Sequence, residues 1–217
     1  MWSKLKEQFN LLKLEKKRLY LIASSDDFNS KDEFLDAIAS ALQGGVDILQ
    51  LREKNIPDSI IVDLGHKIRI LCDEFGATFI INDRLDIAQI VEADGVHLGR
   101  NDISIHDARE VLGANAIIGQ TVSCREEISK AVTEGADYIS LGPVASENSK
   151  LQNVVNMELV YLANESSKVP VFQFGIMEKN CINELTYNGA KRLIVSDEVM
   201  RAKSPEQAAR KFLSLLP

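Results

Sequence analysis

Val46-Asp47-Ile48-Leu49-Gln50-Leu51-Arg52 decides how this chain is read. Along a strand, side chains repeat every second residue, so Ile48, Gln50 and Arg52 share one face and Asp47, Leu49 and Leu51 share the other. The leucine face suits a cover of helices. The other face carries an amide and a guanidinium and runs straight into Glu53 and Lys54. A strand polar on a face that water does not take up points into a site. Arg binds oxygens in a fork and Lys supplies a point charge, so two cations converging at a strand end suit a phosphate or pyrophosphate.

The pattern repeats on both sides. Strand candidates are Arg18–Ala23, Val46–Arg52, Thr78–Ile81, Gly95–Leu98, Ala116–Gly119, Tyr138–Leu141, Val169–Phe174 and Lys191–Val195. Between them run amphipathic stretches. Asp32–Gln43 places Phe34, Leu35, Ile38, Ala39 and Leu42 at helical spacing, and Ser59–Phe75 does the same with Ile60, Ile61, Leu64, Ile68 and Leu71, with Asp58 expected as its N-cap. Glycines at 44–45, 76, 113, 135 and 189 follow helix ends. Gly-Ala-Asp or Ala-Asp-Gly triplets mark several helix-to-strand turns without forming a solenoid repeat. Strands alternating with helices give a parallel sheet. Eight units at a spacing of roughly 25 residues point to a closed (β/α)8 TIM barrel, with a doubly wound open sheet as the competing architecture.

Trp2, Leu5, Phe9 and Leu12 fall on one helical stripe. Residues 1–17 are therefore expected as a helical extension, covering the barrel bottom, forming a contact in a homo-oligomer or lying on a membrane surface. Residues 18–217 are expected as a single barrel domain.

Composition narrows the function. Of 217 residues, 45% are apolar and 26% charged, with a net charge of −7. That acidity argues against nucleic acid as a partner but permits a local anion site. No segment approaches the ~20 apolar residues of a membrane span. The opening Met1-Trp2-Ser3-Lys4 lacks the apolar core of a signal peptide, and Cys72, Cys124 and Cys181 show neither metal nor disulfide spacing, so a cytoplasmic protein is expected.

A second motif, Ile81-Asn82-Asp83-Arg84, adds a carboxylate at another strand end, where Mg2+ could be shared with a substrate phosphate. Its structural alternative is pairing of Asp83 with Arg84 or Arg52. His97 reads as an inward-facing, hydrogen-bonded histidine, and His66 and His106 as surface residues.

Taken in order, Gln50–Lys54, Ile81–Arg84, Ala93-Asp94-Gly95-Val96-His97-Leu98-Gly99, Gly135-Ala136-Asp137-Tyr138-Ile139 and Gly142-Pro143-Val144 resemble the thiamine phosphate synthase family and its relative, the thiazole tautomerase. The resemblance is dense from Tyr20 to Lys150 and weak beyond. It implies a (β/α)8 barrel that joins an aminopyrimidine-methyl pyrophosphate to a thiazole phosphate with Mg2+, its partners being small phosphorylated substrates. By the same resemblance Gln50, Arg52, Lys54 and Asn82 bind the pyrophosphate, Asp83 and Asp102 hold the metal, and Lys150 closes the loop after the sixth strand. Arg52, Lys54 and Lys150 carry the catalytic role. Thr121, Ser149, Gly175 and Ser196 complete the substrate contacts.

The chain departs from the family pattern in three places. Ser123 stands where the tautomerase carries a histidine, which disfavours that reaction. Glu147 replaces a hydroxyl in the Gly142–Lys150 loop. Phe174 replaces the first glycine of a Gly-Gly pair before Ile176. Glu147 and Phe174 motivate the alternative of a non-catalytic paralogue that binds a pyrimidine or thiamine phosphate as sensor or carrier. Another phosphate-binding barrel, such as an aldolase or epimerase, is the third option.

Overall fold

The computed structural model describes residues 13–26, 28–145 and 154–217. Eight parallel strands close on themselves in chain order: β1 (Leu19–Ala23), β2 (Ile48–Leu51), β3 (Thr78–Asn82), β4 (Gly95–Leu98), β5 (Ile117–Val122), β6 (Tyr138–Val144), β7 (Val171–Gly175) and β8 (Leu193–Val195). β1 pairs with β2 on one side and β8 on the other, which excludes the open sheet. Besides the helical residues 13–15, the helices among the described residues are α1 (Lys31–Gln43), α2 (Asp58–Phe75), α3 (Leu85–Ile90), α4 (Ile105–Leu112), α5 (Arg125–Thr133), α6 (Met157–Ser166), α7 (Lys179–Tyr187), α8 (Asp197–Met200) and α9 (Pro205–Ser214).

Strand alternation sorts the core into two parts. Leu49 and Leu51 join the large apolar layer between strands and helices. Ile48 points inward, into a smaller cluster with Tyr20, Ile80, Ile117, Tyr138, Phe172 and Ile194. Leu14, at the described edge of the N-terminal extension, is fully buried in that inner cluster. Burying a leucine side chain contributes about 2 kcal/mol. Residues 1–12, with the apolar stripe of the extension, lie outside the described residues.

Local chemistry explains the helix ends. Ser30 accepts from the Glu33 N–H and starts α1, whose Phe34, Ile38, Ala41 and Leu42 are buried. Gly76 ends α2 at φ 66°, the left-handed conformation that glycine adopts at low cost. The expected N-cap at Asp58 is corrected. Pro57 precedes the first turn, Asp58 lies inside it, and its carboxylate is engaged by both terminal nitrogens of Arg84, at 2.8 and 2.9 Å.

The Asp-bearing turns have a use that their sequence does not disclose. Asp47 donates its backbone N–H to the Leu19 carbonyl, and its carboxylate accepts the Leu19 N–H. Asp94 does both to Phe79, and Asp137 does both to Ile118. Each even strand from β2 to β6 is thus bolted to the odd strand before it, at the lower end of the barrel. Arg69 from α2 donates to Asp94 at 2.9 Å, and Arg109 from α4 donates to Asp137 at 2.8 Å.

Candidate functional site

The chemistry-bearing residues lie at the opposite, C-terminal end of the strands, where a (β/α)8 barrel carries its sites. A cleft of about 330 Å³ opens there, and Gln50, Arg52, Lys54, Asn82, Asp83, Asp102 and Thr121 all line it. Ile22, His97, Gly99, Arg100, Asn101, Ser140 and Phe174 complete its wall. The ends of β2, β3 and β5 and the loop after β4 therefore bring to one opening the groups that the sequence scatters from Gln50 to Thr121.

Each is placed by its strand. Gln50 faces inward on β2 and is buried, its Nε2 donating 2.6 Å to the Tyr20 hydroxyl. Arg52 and Lys54, just past the strand, are exposed. Asp83 follows β3 at φ 59°, a left-handed conformation that a short polar side chain tolerates. Its backbone N–H donates to the His97 carbonyl and its carboxylate accepts from Lys54 and, at 2.8 Å, from the Asn82 amide. Asp83 thus pairs with Lys54, while Arg84 is committed to Asp58 and Asp86.

Asp102 accepts the Gly99 N–H at 2.5 Å. Loss of water around it, then the neighbouring Asp83 carboxylate, raises its pKa above the ordinary carboxylate range. Two neighbouring carboxylates beside one opening form an oxygen donor set suited to a hard cation. Among the described residues no group of three acidic, histidine or cysteine ligands could hold a metal. Mg2+ does not require one, because it is commonly bound by one or two carboxylates together with waters and substrate phosphates. The pair fits that ion.

The cleft floor is a hydrogen-bonded chain inside the barrel. The Tyr20 and Tyr138 hydroxyls are 2.8 Å apart, His97 Nδ1 is 3.0 Å from the Tyr138 hydroxyl, and His97 Nε2 is 2.8 Å from Thr121 Oγ1. Burial pushes the His97 imidazole down to about 4, so the ring is neutral near pH 7. Tyr138 stands in the Gly135–Ile139 motif, but nothing in the sequence marks its hydroxyl or that of Tyr20 for a role. As strand aromatics they read as core, and their hydroxyls meet only because the barrel closes.

The other expected residues fall elsewhere. Ser196 follows β8 and its hydroxyl donates 2.8 Å to the Ile22 carbonyl. Gly175 ends β7 at φ 148°, and a β-carbon there would lie 2.0 Å from the Val144 carbonyl oxygen, so backbone proximity requires glycine. Neither is among the cleft-lining residues. Phe174 is part of the cleft wall, where the sequence comparison expected a glycine. Ser123 lies off the cleft, its hydroxyl donating to Glu127 and accepting from Arg100. Glu147, Ser149 and Lys150 lie outside the described residues.

Known proteins resemble the chain along nearly its whole length. A family model described as thiamine monophosphate synthase matches residues 19–199. A thiamine-phosphate synthase of a Nostoc species is 39% identical over 204 residues, covering 94% of this chain and 57% of its own length. One from Shouchella clausii is 31% identical, covering 92% of this chain and 96% of its own. The solved thiamine phosphate pyrophosphorylase of Pyrococcus furiosus superposes with a TM-score of 0.82 at 31% identity, covering 95% and 96% of the two chains. The chain spans just over half the length of the Nostoc relatives it matches. No helix among the described residues is long and apolar enough to cross a membrane.

Proposed function

Because the chain belongs to the thiamine monophosphate synthase family, we propose that it joins an aminopyrimidine-methyl pyrophosphate to a thiazole phosphate, giving thiamine phosphate and pyrophosphate. The observation that carries this reading is the shared cleft. Arg52, Lys54, Asp83 and Asp102 line one opening at the C-terminal mouth of the barrel.

The reaction breaks the bond between the pyrimidine methylene carbon and the pyrophosphate oxygen, and the electron pair leaves with that oxygen. The thiazole nitrogen lone pair forms the new carbon–nitrogen bond. No protein nucleophile is needed. Catalysis then rests on stabilising the charge that grows on the departing diphosphate and on holding the two reactants in line. Arg52 and Lys54 supply fixed positive charge for the diphosphate oxygens. Asp83 and Asp102 would hold Mg2+, which adds charge neutralisation on the same group. Gln50, Asn82 and Thr121 orient the bound substrate from the floor. Gly175 and Ser196 support the strand ends that flank the thiazole phosphate, and Ser149 and Lys150 are assigned to that substrate's loop. The same reading puts the protein in the cytoplasm, where the free thiols of Cys72, Cys124 and Cys181 stay reduced.

Incubating the full chain with both substrates and Mg2+ tests this. Pyrophosphate and thiamine phosphate should appear together, and Arg52→Ala or Asp83→Ala should remove most of the rate. No pyrophosphate release at high protein concentration would refute the proposal.

A further inference from the structure

We propose that Tyr20, Tyr138 and His97 are positioning residues, forming a one-way hydrogen-bond chain that makes the Thr121 hydroxyl a donor into the cleft. The polarity follows link by link from which atoms have hydrogens to give. Gln50 Nε2 can only donate, and it does so to the Tyr20 oxygen at 2.6 Å. The Tyr20 hydroxyl is fully buried, and the Tyr138 oxygen at 2.8 Å is the neighbour left to take its hydrogen. Tyr138, also fully buried, must then give its own hydrogen to His97 Nδ1 at 3.0 Å. An Nδ1 that accepts carries no proton, so the neutral ring holds its hydrogen on Nε2. That N–H donates to Thr121 Oγ1 at 2.8 Å. The remaining hydrogen, on Thr121, is directed to the cleft that Thr121 lines.

A second observation shows that the fold reserves room for the chain. Gly119 lies beside the Tyr138 ring, and a β-carbon there would fall 2.0 Å from Tyr138 Cζ. The central hydroxyl is therefore held by close packing as well as by its partners.

The consequence concerns anion recognition, and here the inference rests on the proposed function. A threonine hydroxyl can donate or accept, but a diphosphate offers only acceptors. A chain running the other way would spend the Thr121 hydrogen on His97 and turn its lone pairs toward the anion. The direction inferred here presents the donor before the ligand arrives, so binding needs no reorientation. Linked hydrogen bonds also polarise one another, which strengthens the terminal donor.

Nitrogen-15 NMR of histidine-labelled full chain reads the polarity directly. The sequence has three histidines, and His97→Asn identifies the signal of interest. Near pH 7 the expected result is a protonated Nε2 and a bare Nδ1. A ring protonated on Nδ1, or on both nitrogens, overturns the proposal. Tyr138→Phe cuts the chain, and Tyr20→Phe cuts it one link earlier should the first variant not fold. Either should release His97 into a mixture of tautomers and weaken pyrophosphate binding with Mg2+, measured by calorimetry, by about ten-fold, the low end for a hydrogen bond to a charged group. An unchanged tautomer in both variants also overturns it. Wild-type protein that binds no pyrophosphate with Mg2+ would defeat the functional reading, while the nitrogen signals would still decide the polarity.

Discussion

Asp94→Ala should destabilise the protein by about 2–4 kcal/mol without touching the mouth of the barrel, the range following from its three partners. One carboxylate oxygen accepts the Phe79 N–H at 2.8 Å and Arg69 at 2.9 Å, and the other accepts Lys13 at 2.5 Å. Phe79 is fully buried, and a buried N–H deprived of its acceptor costs about 1–3 kcal/mol. Arg69 keeps Asp73, and Lys13 is more than a third exposed, so those two losses together add only about 1 kcal/mol. At roughly 2–4 °C per kcal/mol for a chain of this size, the melting temperature should fall by about 5–15 °C. Asp94→Asn keeps an oxygen for the Phe79 N–H and should lose about half as much.

Urea unfolding at several pH values is the assay. Burial opposes ionisation of Asp94, but Lys13, the Phe79 N–H and Arg69 outweigh it and hold its pKa below the ordinary carboxylate range. A depressed folded pKa contributes stability above the unfolded value of about 3.9 and loses it as pH falls toward the folded value. The gap between wild type and the alanine variant should therefore be full at pH 6 and shrink below about pH 4. Pyrophosphate affinity, measured on folded protein, should be unchanged. An alanine variant within about 0.5 kcal/mol of wild type would refute the bolt reasoning, because that is the spread of an ordinary surface substitution.

Two further outcomes follow from the mouth. Asp102 carries a pKa raised first by desolvation and then by Asp83, so its charged form is penalised above the folded value and carries no penalty below the unfolded one. Asp102→Asn should accordingly raise the urea midpoint at pH 7 without Mg2+, have no such effect at pH 3, and weaken Mg2+-dependent pyrophosphate binding; a lower midpoint at pH 7 would contradict this. Gly175→Ala should cost about 3 kcal/mol or more in unfolding measurements, since its β-carbon meets Val144 backbone that cannot yield easily. A variant of wild-type stability that merely binds phosphate poorly would return Gly175 to a ligand contact.

Much of the fold is legible in the chain because period-two strands and period-3.6 helices announce themselves over a few residues. Ile48 and Gln50 sort to the inside as their alternation requires and Arg52, just past them, reaches the cleft; all eight expected strands occur, Gly95–Leu98 with its expected ends and the other seven with shifted ones. Asp58 shows the limit of local reading. An acidic residue before a helix resembles a cap until Arg84, twenty-six positions away, claims it. The Asp-bearing turns were visible, but the acceptor role of Asp47, Asp94 and Asp137 depends on a strand 15 to 28 residues earlier. The charged half of the site was readable because Arg, Lys and Asp at strand ends have few uses besides ligands or ion pairs. Its floor was readable only in part: His97 was expected as an inward-facing, hydrogen-bonded ring and Thr121 as a substrate contact, whereas the Tyr20 and Tyr138 hydroxyls join them through barrel closure alone. A glycine such as Gly175 looks the same in sequence whether a phosphate or a backbone carbonyl approaches it.

The carboxylate bolts give the barrel a grain. Each joins β1 to β2, β3 to β4 or β5 to β6, and none of the three spans the joins between those pairs. A polypeptide divided at Gly113, between α4 and β5, would keep each aspartate with its bolted strand while parting Arg109 from Asp137, and a division at Gly76, ahead of β3, would do so with a shorter first piece while parting Lys13 and Arg69 from Asp94. A break after β3 would part Phe79 from Asp94. Reassembly from pieces should therefore succeed at even-numbered divisions and fail at odd ones, as in a structure laid down two strands at a time.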